Sequence, residues 1–376
     1  MAGIEISTVS SRSDLDRFID LPWKIYAGDN NWVPPLKKQV RRILDTSVHP
    51  FWKFSERELF LARRGSEVVG RIAAIVDNNY NSFHDEKMGA WGFFECENDP
   101  EAAAALFSAA EMWTSGKGMT FLRGPLNPST NYEVGMLIEG FESPPTVMMT
   151  YNPTYYIPLV ESCGFEKEKD LVAILVLPND RADARVQRLA SRVTRNKNIY
   201  VRTANKKAFD SEMEIVKEIY NSAWSRNWGF VPMTEEEMTD MGKELVPVMD
   251  PELVFFIYYD DQAVGVALVL PDVNPLLKRL NGKIGIRGLL KILLHRKEIK
   301  GLRGLILGFK RSHQRLGLPL VAFDHINRVA RGKYEYLELG WNLEDNDDIN
   351  KFEIQAGGRI HKKYRIFRKT LVPEGI

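Results

Sequence analysis

Gly304-Leu-Ile-Leu-Gly-Phe-Lys-Arg-Ser-His-Gln-Arg-Leu-Gly-Leu-Pro-Leu-Val-Ala-Phe-Asp-His-Ile326 is the stretch from which the rest of the chain can be read. Leu305 to Phe309 is a short apolar run of buried-strand length. Lys310 to Gly317 is a polar, basic turn. From Leu318 onward, Val321, Ala322, His325, Ile326 and Val329 recur at helical spacing, which predicts a helix to Arg331, stopped by Gly332 and Lys333. Tyr334 to Trp341 reads as a second strand. A strand, a glycine-containing basic turn and a helix together present backbone N–H groups at a helix N-terminus, where the helix dipole favours an anion.

Gln314-x-x-Gly317-x-Pro319, directly after an apolar strand, resembles the Arg/Gln-x-x-Gly-x-Gly/Ala loop of the GNAT-superfamily N-acyltransferases. The resemblance implies that Gln314, Arg315, Leu316, Gly317 and Leu318 hold the pyrophosphate of acetyl-CoA or a longer acyl-CoA. It also implies that backbone amides at Leu307, Gly308 and Phe309 meet the thioester carbonyl and the pantetheine arm. Pro319 departs from the usual final Gly or Ala. Proline is tolerated in a first helical turn, but it removes one donor to the phosphate.

The same resemblance covers Asp345 to Tyr364: an acidic helix cap, a short amphipathic helix, Gly357-Gly358 and a strand. It adds Asn346, at the helix opening, to the donor side. Many family members carry a tyrosine as general acid at the position that Glu353 holds here, and Glu353 reads as a solvated helix residue. Glu338, on the strand after the CoA loop, is the carboxylate placed to act as catalytic base, and His313 is a candidate cofactor contact. The resemblance is to a tandem bacterial branch of the superfamily and covers nearly the whole chain.

A length of 376 residues favours two domains, and an apolar content of 44% can fill two cores. A net charge of +1 gives no global reason to expect nucleic acid as a partner. The longest apolar runs, near 171–177 and 253–259, fall short of the roughly 18 to 20 residues that cross a bilayer. The opening Met-Ala-Gly-Ile-Glu-Ile-Ser lacks the basic-then-apolar signal pattern, so the expected location is cytoplasmic. Cys96 and Cys163 read as buried free thiols. Six scattered histidines give no metal-ligand spacing.

Taken in order, the first half reads as a strand from Ile4 and a helix from Arg12, then a hairpin over 58–76 and a strand over 90–95. A helix over 99–115 and a strand over 119–123 follow. Asn152 then precedes a short helix ending at Gly164, before an apolar strand. Asn346 precedes a short helix ending at Gly358, before an apolar strand, at the same separation. This internal repeat predicts an α/β (α+β mixed sheet) fold with two tandem GNAT-like domains, 1–177 and 178–376. The first lacks the basic turn, because its strand runs into Cys96-Glu97-Asn98-Asp99, whose carboxylates would repel a pyrophosphate. It is therefore expected not to bind CoA and to help build an acceptor site. Its polar, turn-rich loops supply the substrate-binding candidates Asn127, Asn131, Glu133, Tyr151 and Tyr155.

In the second half, helices over 209–224 and 234–246 flank Trp224-Ser-Arg-Asn-Trp228-Gly-Phe230, a region that lines the acceptor pocket in GNAT folds. The arginines at 181, 185, 188, 192 and 195 read as the solvated face of a crossover helix. Residues 274–303 form an insertion with nine Lys and Arg against Glu298 alone, and with an apolar leucine face. Such a segment reads as a packed helix with a wet basic face, a membrane-surface element, or a dock for an acidic acyl carrier protein.

The expected activity is transfer of an acyl group from acyl-CoA to the amine of a small-molecule acceptor, without a metal. The sequence leaves open an acyl carrier protein as donor, or a GNAT fold that binds a ligand without turnover. Aminoacyl-tRNA-dependent transfer would need a basic surface across both halves, which the near-neutral total disfavours.

Overall fold

The computed structural model describes residues 3–177 and 184–371, with the side chains of Arg185, Ile286, Arg287, Leu289, Lys291, Leu293, Gln314 and Arg315 excepted. In chain order the strands and helices are β1 (Ile4–Thr8), α1 (Arg12–Ile25), α2 (Lys37–Ile43), β2 (Ser55–Arg64), β3 (Glu67–Asp77), α3 (Asn78–His84), β4 (Met88–Cys96), α4 (Pro100–Gly116), β5 (Phe121–Gly124), β6 (Leu126–Asn127), β7 (Glu133–Val134), β8 (Met136–Glu139), α5 (Tyr156–Ser162) and β9 (Glu166–Val176). They continue as α6 (Ala184–Val193), β10 (Ile199–Thr203), α7 (Phe209–Trp224), α8 (Glu235–Leu245), β11 (Val254–Tyr259), β12 (Gln262–Pro271), α9 (Asn274–Leu280), α10 (Ile286–His295), β13 (Gly301–Phe309), α11 (Leu318–Ala330), β14 (Tyr336–Leu343), α12 (Asp347–Gln355) and β15 (Arg359–Thr370).

The chain divides into two compact units. The first comprises residues 1–171, 277–293 and 362–376, and the second 172–276 and 294–361. This differs from a single cut at 177/178 in two ways. The middle of the basic insertion belongs with the first unit, and so does most of the strand that follows Gly358.

In the first unit β1 to β4 form an antiparallel run, and β5 adds in parallel to β4 over Met88–Ala90. The next partner of β5 is β15, paired antiparallel from Phe121↔Thr370 to Gly124↔Phe367. Its core packs Trp91, Phe94, Phe107, Tyr156 and Phe165 together beneath α4. Local signals set the helix ends: Ser11 accepts from the Asp14 N–H to open α1, and Asp99 accepts from the Glu101 and Ala102 N–H groups to open α4. Trp32, in the aromatic proline loop, stacks on Tyr26 at 4.8 Å.

The second unit repeats the plan. β10 to β13 are antiparallel neighbours, and β14 adds in parallel to β13. Its core joins Phe255, Ile257, Leu302, Leu318, Ala322 and Leu337 between the sheet and α11. Thr234 and Glu237 close a capping box at the start of α8.

Candidate active site

The second unit's site begins where two parallel strands part. β13 and β14 pair only from Gly301↔Tyr336 to Gly304↔Leu339, although β13 runs on to Phe309 and β14 to Leu343. On its other side β13 stays paired with β12, but Leu268 faces Ile306 and Val269 faces Gly304, so Leu305 bulges out of register. Beyond Gly304 the edge of β13 that faced β14 has lost its strand partner. Alternate backbone groups face that edge: Lys310 donates to the Val264 carbonyl on β12, which turns Gly308 to β12 as well and leaves the backbone groups of Leu307 and Phe309 offered to a ligand.

The parted strands open a small cleft of about 90 Å³, lined entirely by second-unit residues. Its apolar wall is built from Val269, Phe323, Ile326 and Leu339, and its polar groups include Asn342 and Glu353. Trp224, at the end of α7, forms part of the lining. The indole lies so close to β13 that a Cβ on Gly308 would stand 2.0 Å from Trp224 Cη2. Only glycine fits there.

Glu353 corrects the sequence reading. It is not a solvated helix residue but 3% exposed, on the inward face of α12 with Ile349 one turn before it. Asn342 Nδ2 donates to Glu353 Oε2 at 2.6 Å. Glu353 Oε1 accepts no hydrogen bond from the described residues. Burial pushes the carboxyl up to about 7, only partly countered by the Asn342 hydrogen bond. The misreading is understandable, since helical spacing gives a period but not which of two faces meets the sheet. The signal available in the sequence was the alignment of Glu353 with the family's acid position.

Glu338, the expected base, lies on β14 and is 2% exposed. Its carboxylate is 3.9 Å from His361 Nε2, and its strand neighbour in register is the buried Arg303. The residues of β14 that line the cleft begin at Leu339, so side-chain alternation sends Glu338 to the opposite face of the sheet. On that face Tyr336 donates to Asp272 at 2.7 Å, and burial beside Asp272 drives the phenol pKa upward.

The phosphate-loop expectation maps onto a six-residue 3₁₀ segment, Arg311–Leu316, followed by Gly317 as the cap of α11. Gly317 has φ +69°, a left-handed conformation that glycine adopts without strain. No side chain caps α11, but Pro319 has no N–H and the Leu320 N–H is taken by the Gly317 carbonyl at 3.0 Å, so its first turn offers an anion fewer donors than a Gly or Ala at 319 would allow. Pro319 falls in the first turn, as the sequence reading required. The side chains of Gln314 and Arg315 lie outside the described residues; Leu316 and Leu318 flank the glycine. His313 is engaged by Ser312 Oγ at 2.7 Å. Asn346 caps α12 by position, without a side-chain cap hydrogen bond.

The first unit repeats this architecture but its gap is closed. β4 and β5 pair in parallel only to Ala90↔Arg123. The next segment, β6, then packs against β4: the Phe93 N–H donates to Asn127 Oδ1 at 2.6 Å, and a Cβ on Gly92 would meet the Leu126 carbonyl at 1.8 Å. The chain's own backbone occupies the position of the second unit's cleft. The amides opening α4 are taken by Asp99, which also pairs with Arg64 at 2.8 Å.

The acceptor-side candidates all fall in the first unit. Besides Asn127 in the plug, Glu133 faces it across the β6–β7 pair, and the Asn131 N–H donates to Ser129 Oγ. Tyr151 donates to Asp29 at 3.0 Å, and burial pushes its phenol up to about 12. Tyr155 donates to the Cys96 carbonyl at 3.0 Å. Cys96 is buried, whereas Cys163 is only partly covered, and both thiols are free.

Comparison with known proteins agrees with this geometry. No family model matches the chain. It is 35% identical over 378 residues to the bacterial ceramide synthase of Caulobacter vibrioides (strain NA1000 / CB15N), covering 98% of each chain. It is 32% identical over 380 residues to protein YghO of Escherichia coli (strain K12), covering 97% of this chain and 95% of that one. Among solved structures, the tandem GNAT protein from the clavulanic acid biosynthesis pathway matches with a TM-score of 0.55 at 11% identity, over 99% of this chain and 100% of that one. The chain belongs to the family of the Caulobacter ceramide synthase and YghO, a bacterial branch built on the tandem GNAT acyltransferase fold.

Proposed function

We propose that this protein is an N-acyltransferase that joins a fatty acyl group from acyl-CoA to the amine of a long-chain amino alcohol. The observation that carries the reading is Glu353, a buried carboxylate with a pKa near 7 in the wall of a cleft between parted strands. The acceptor class rests on the full-length similarity to a ceramide synthase, since a ceramide is the amide of a fatty acid with such an amino alcohol.

An alkyl ammonium of pKa about 10.4 must lose a proton before it can attack, and at pH 7 that costs roughly 4.6 kcal/mol. A base poised near the working pH is worth about 10²- to 10⁴-fold in rate. Ionised Glu353 can take that proton on Oε1 while Asn342 holds Oε2. The N–H groups of Leu307 and Phe309, which point away from β12, are suited to the developing oxyanion, and the opening of α11 to the phosphates. The CoA thioester supplies the activated acyl group: the amine nitrogen bonds to its carbonyl carbon, the C–S bond breaks, and CoA leaves as the thiol after taking the proton back from Glu353. The apolar wall of Val269, Phe323, Ile326 and Leu339 suits an alkyl chain and excludes water from the reacting atoms.

The test is an amide-forming assay with purified protein, acyl-CoAs of graded length and a long-chain amino alcohol, with acyl carrier protein thioesters as parallel donors. The expected result is amide product with long-chain acyl-CoA and its loss in Glu353→Gln. Turnover with carrier-protein thioesters alone would overturn the donor assignment. Full activity in Glu353→Gln would overturn the role of the carboxylate.

A further inference from the structure

The basic insertion is not used by the chemistry above. Residues 274–303 hold nine of the 51 basic residues and one of the 50 acidic ones, which leaves the other 346 residues at a net −7. Residues 181–207 are as basic, with nine Lys and Arg against Asp183, so what sets the insertion apart is its exposed aliphatic side chains. Lys283, Arg296 and Lys297 are exposed. So are Ile284 at 54%, Leu290 at 55% and Leu294 at 75%, among the most exposed large aliphatic side chains described.

The segment is anchored at its other end. Leu276 and Leu280 of α9 are buried, Trp23 Nε1 donates to Asn281 Oδ1 at 2.7 Å, and the Lys37 N–H donates to the Gly282 carbonyl at 3.0 Å. Beyond that anchor α10 covers ten residues. At about 100° per residue, positions 287, 290, 291 and 294 fall within about 100° of arc, while the buried Gly288 lies outside it. One helix face thus carries alternating basic and leucine positions, and its two leucines, Leu290 and Leu294, are exposed. A purely solvated face would not place leucines there, and a protein-packing face would not leave them exposed.

We propose that α10 and its flanking turns dock this protein on an anionic lipid bilayer, with Leu290 and Leu294 entering the headgroup–acyl boundary and the basic residues contacting lipid phosphates. Among the described residues no helix is long and apolar enough to cross a membrane, so the mode is attachment to one surface. A lipid acceptor and product, as proposed above, give such docking a purpose. The proposal itself stands on the helix, and its test reads binding, not turnover.

The test is co-sedimentation of the full chain with vesicles of phosphatidylcholine alone and with about one-third phosphatidylglycerol added. Binding should require phosphatidylglycerol and weaken with salt. Lys283→Ala/Arg296→Ala/Lys297→Ala should bind about 100-fold more weakly, at roughly fivefold per charge. Leu290→Ser/Leu294→Ser should also lose binding, and both sets of positions are exposed enough to spare the fold, with circular dichroism as the control. An environment-sensitive fluorophore on Leu294→Cys should shift to the blue on mixed vesicles. Indifference to phosphatidylglycerol overturns the proposal. So does wild-type binding by the leucine variant, or an unshifted fluorophore. Saturable binding of purified acyl carrier protein to this segment, with no vesicle binding, would overturn it in favour of a protein partner.

Discussion

Replacing Glu353 by glutamine should make the protein more stable at neutral pH. Glutamine keeps the shape and can still accept from Asn342 through its amide oxygen, so the packing of α12 is preserved. What changes is a buried titration. The carboxyl ionises near 4.5 in an unfolded chain and near 7 in the folded one. Between those values the unfolded chain has released its proton and the folded chain has not, so the unfolded state binds fewer protons and stability falls as pH rises. The contribution is fully favourable below 4.5 and is lost by the time pH passes 7. At 1.36 kcal/mol per unit, the gap corresponds to about 3 kcal/mol. Parallel urea unfolding of wild type and Glu353→Gln at pH 4.5 to 8 isolates this group, because every other carboxylate is common to both. The stability of the variant minus that of the wild type should climb by about 3 kcal/mol across the range. A difference constant to within about 0.5 kcal/mol, or one that falls with pH, would refute the burial argument. The same ionisation should appear in catalysis, as a limb of kcat/KM that rises with pH to a midpoint near 7 and is absent from residual Glu353→Gln activity.

Gly317→Glu places a charged side chain at φ +69° and at the opening of α11; calorimetry should register at least about a tenfold loss of acyl-CoA affinity, with a stability cost of about 1 kcal/mol. Glu338→Gln, compared with Glu353→Gln in the same assay, should leave donor binding intact and retain the larger share of kcat, because Leu339 rather than Glu338 meets the cleft; the reverse order would restore Glu338 as the base. Gly308→Val should abolish turnover by driving a side chain into Trp224, and Gly308→Val with Trp224→Ala should recover part of it, measured as initial rates. Lys362 is fully buried and donates to the Ser143 carbonyl at 2.8 Å and its hydroxyl at 2.9 Å; Lys362→Met should cost about 3 kcal/mol in thermal or urea unfolding.

Much of the local structure around the cleft was legible because its parts are local. The run Leu305–Phe309, the glycine at 317 and the proline tolerated in a first turn are contiguous, and their meaning lies in backbone chemistry that short sequence specifies. The helix over 209–224 was bounded correctly for the same reason. The bulge at Leu305 was not legible, since it exists only as a register difference between β12 and β13. Glu353 was misread because the face of α12 that turns inward is decided by packing against the cleft. The plug formed by Asn127 was read as an open polar loop: a turn-rich composition does not distinguish a lined cleft from a segment that fills one.

Pairing of Phe121 with Thr370 joins residues separated by most of the chain. A polypeptide emerging from the ribosome would expose the whole of residues 1–171 long before β15 exists, and β5 would wait with one edge bare. Vectorial folding, in which an N-terminal domain closes before its successor is made, is therefore denied to this molecule. Until residues 362–371 arrive, the open edge of β5 is the surface that a chaperone would have reason to cover.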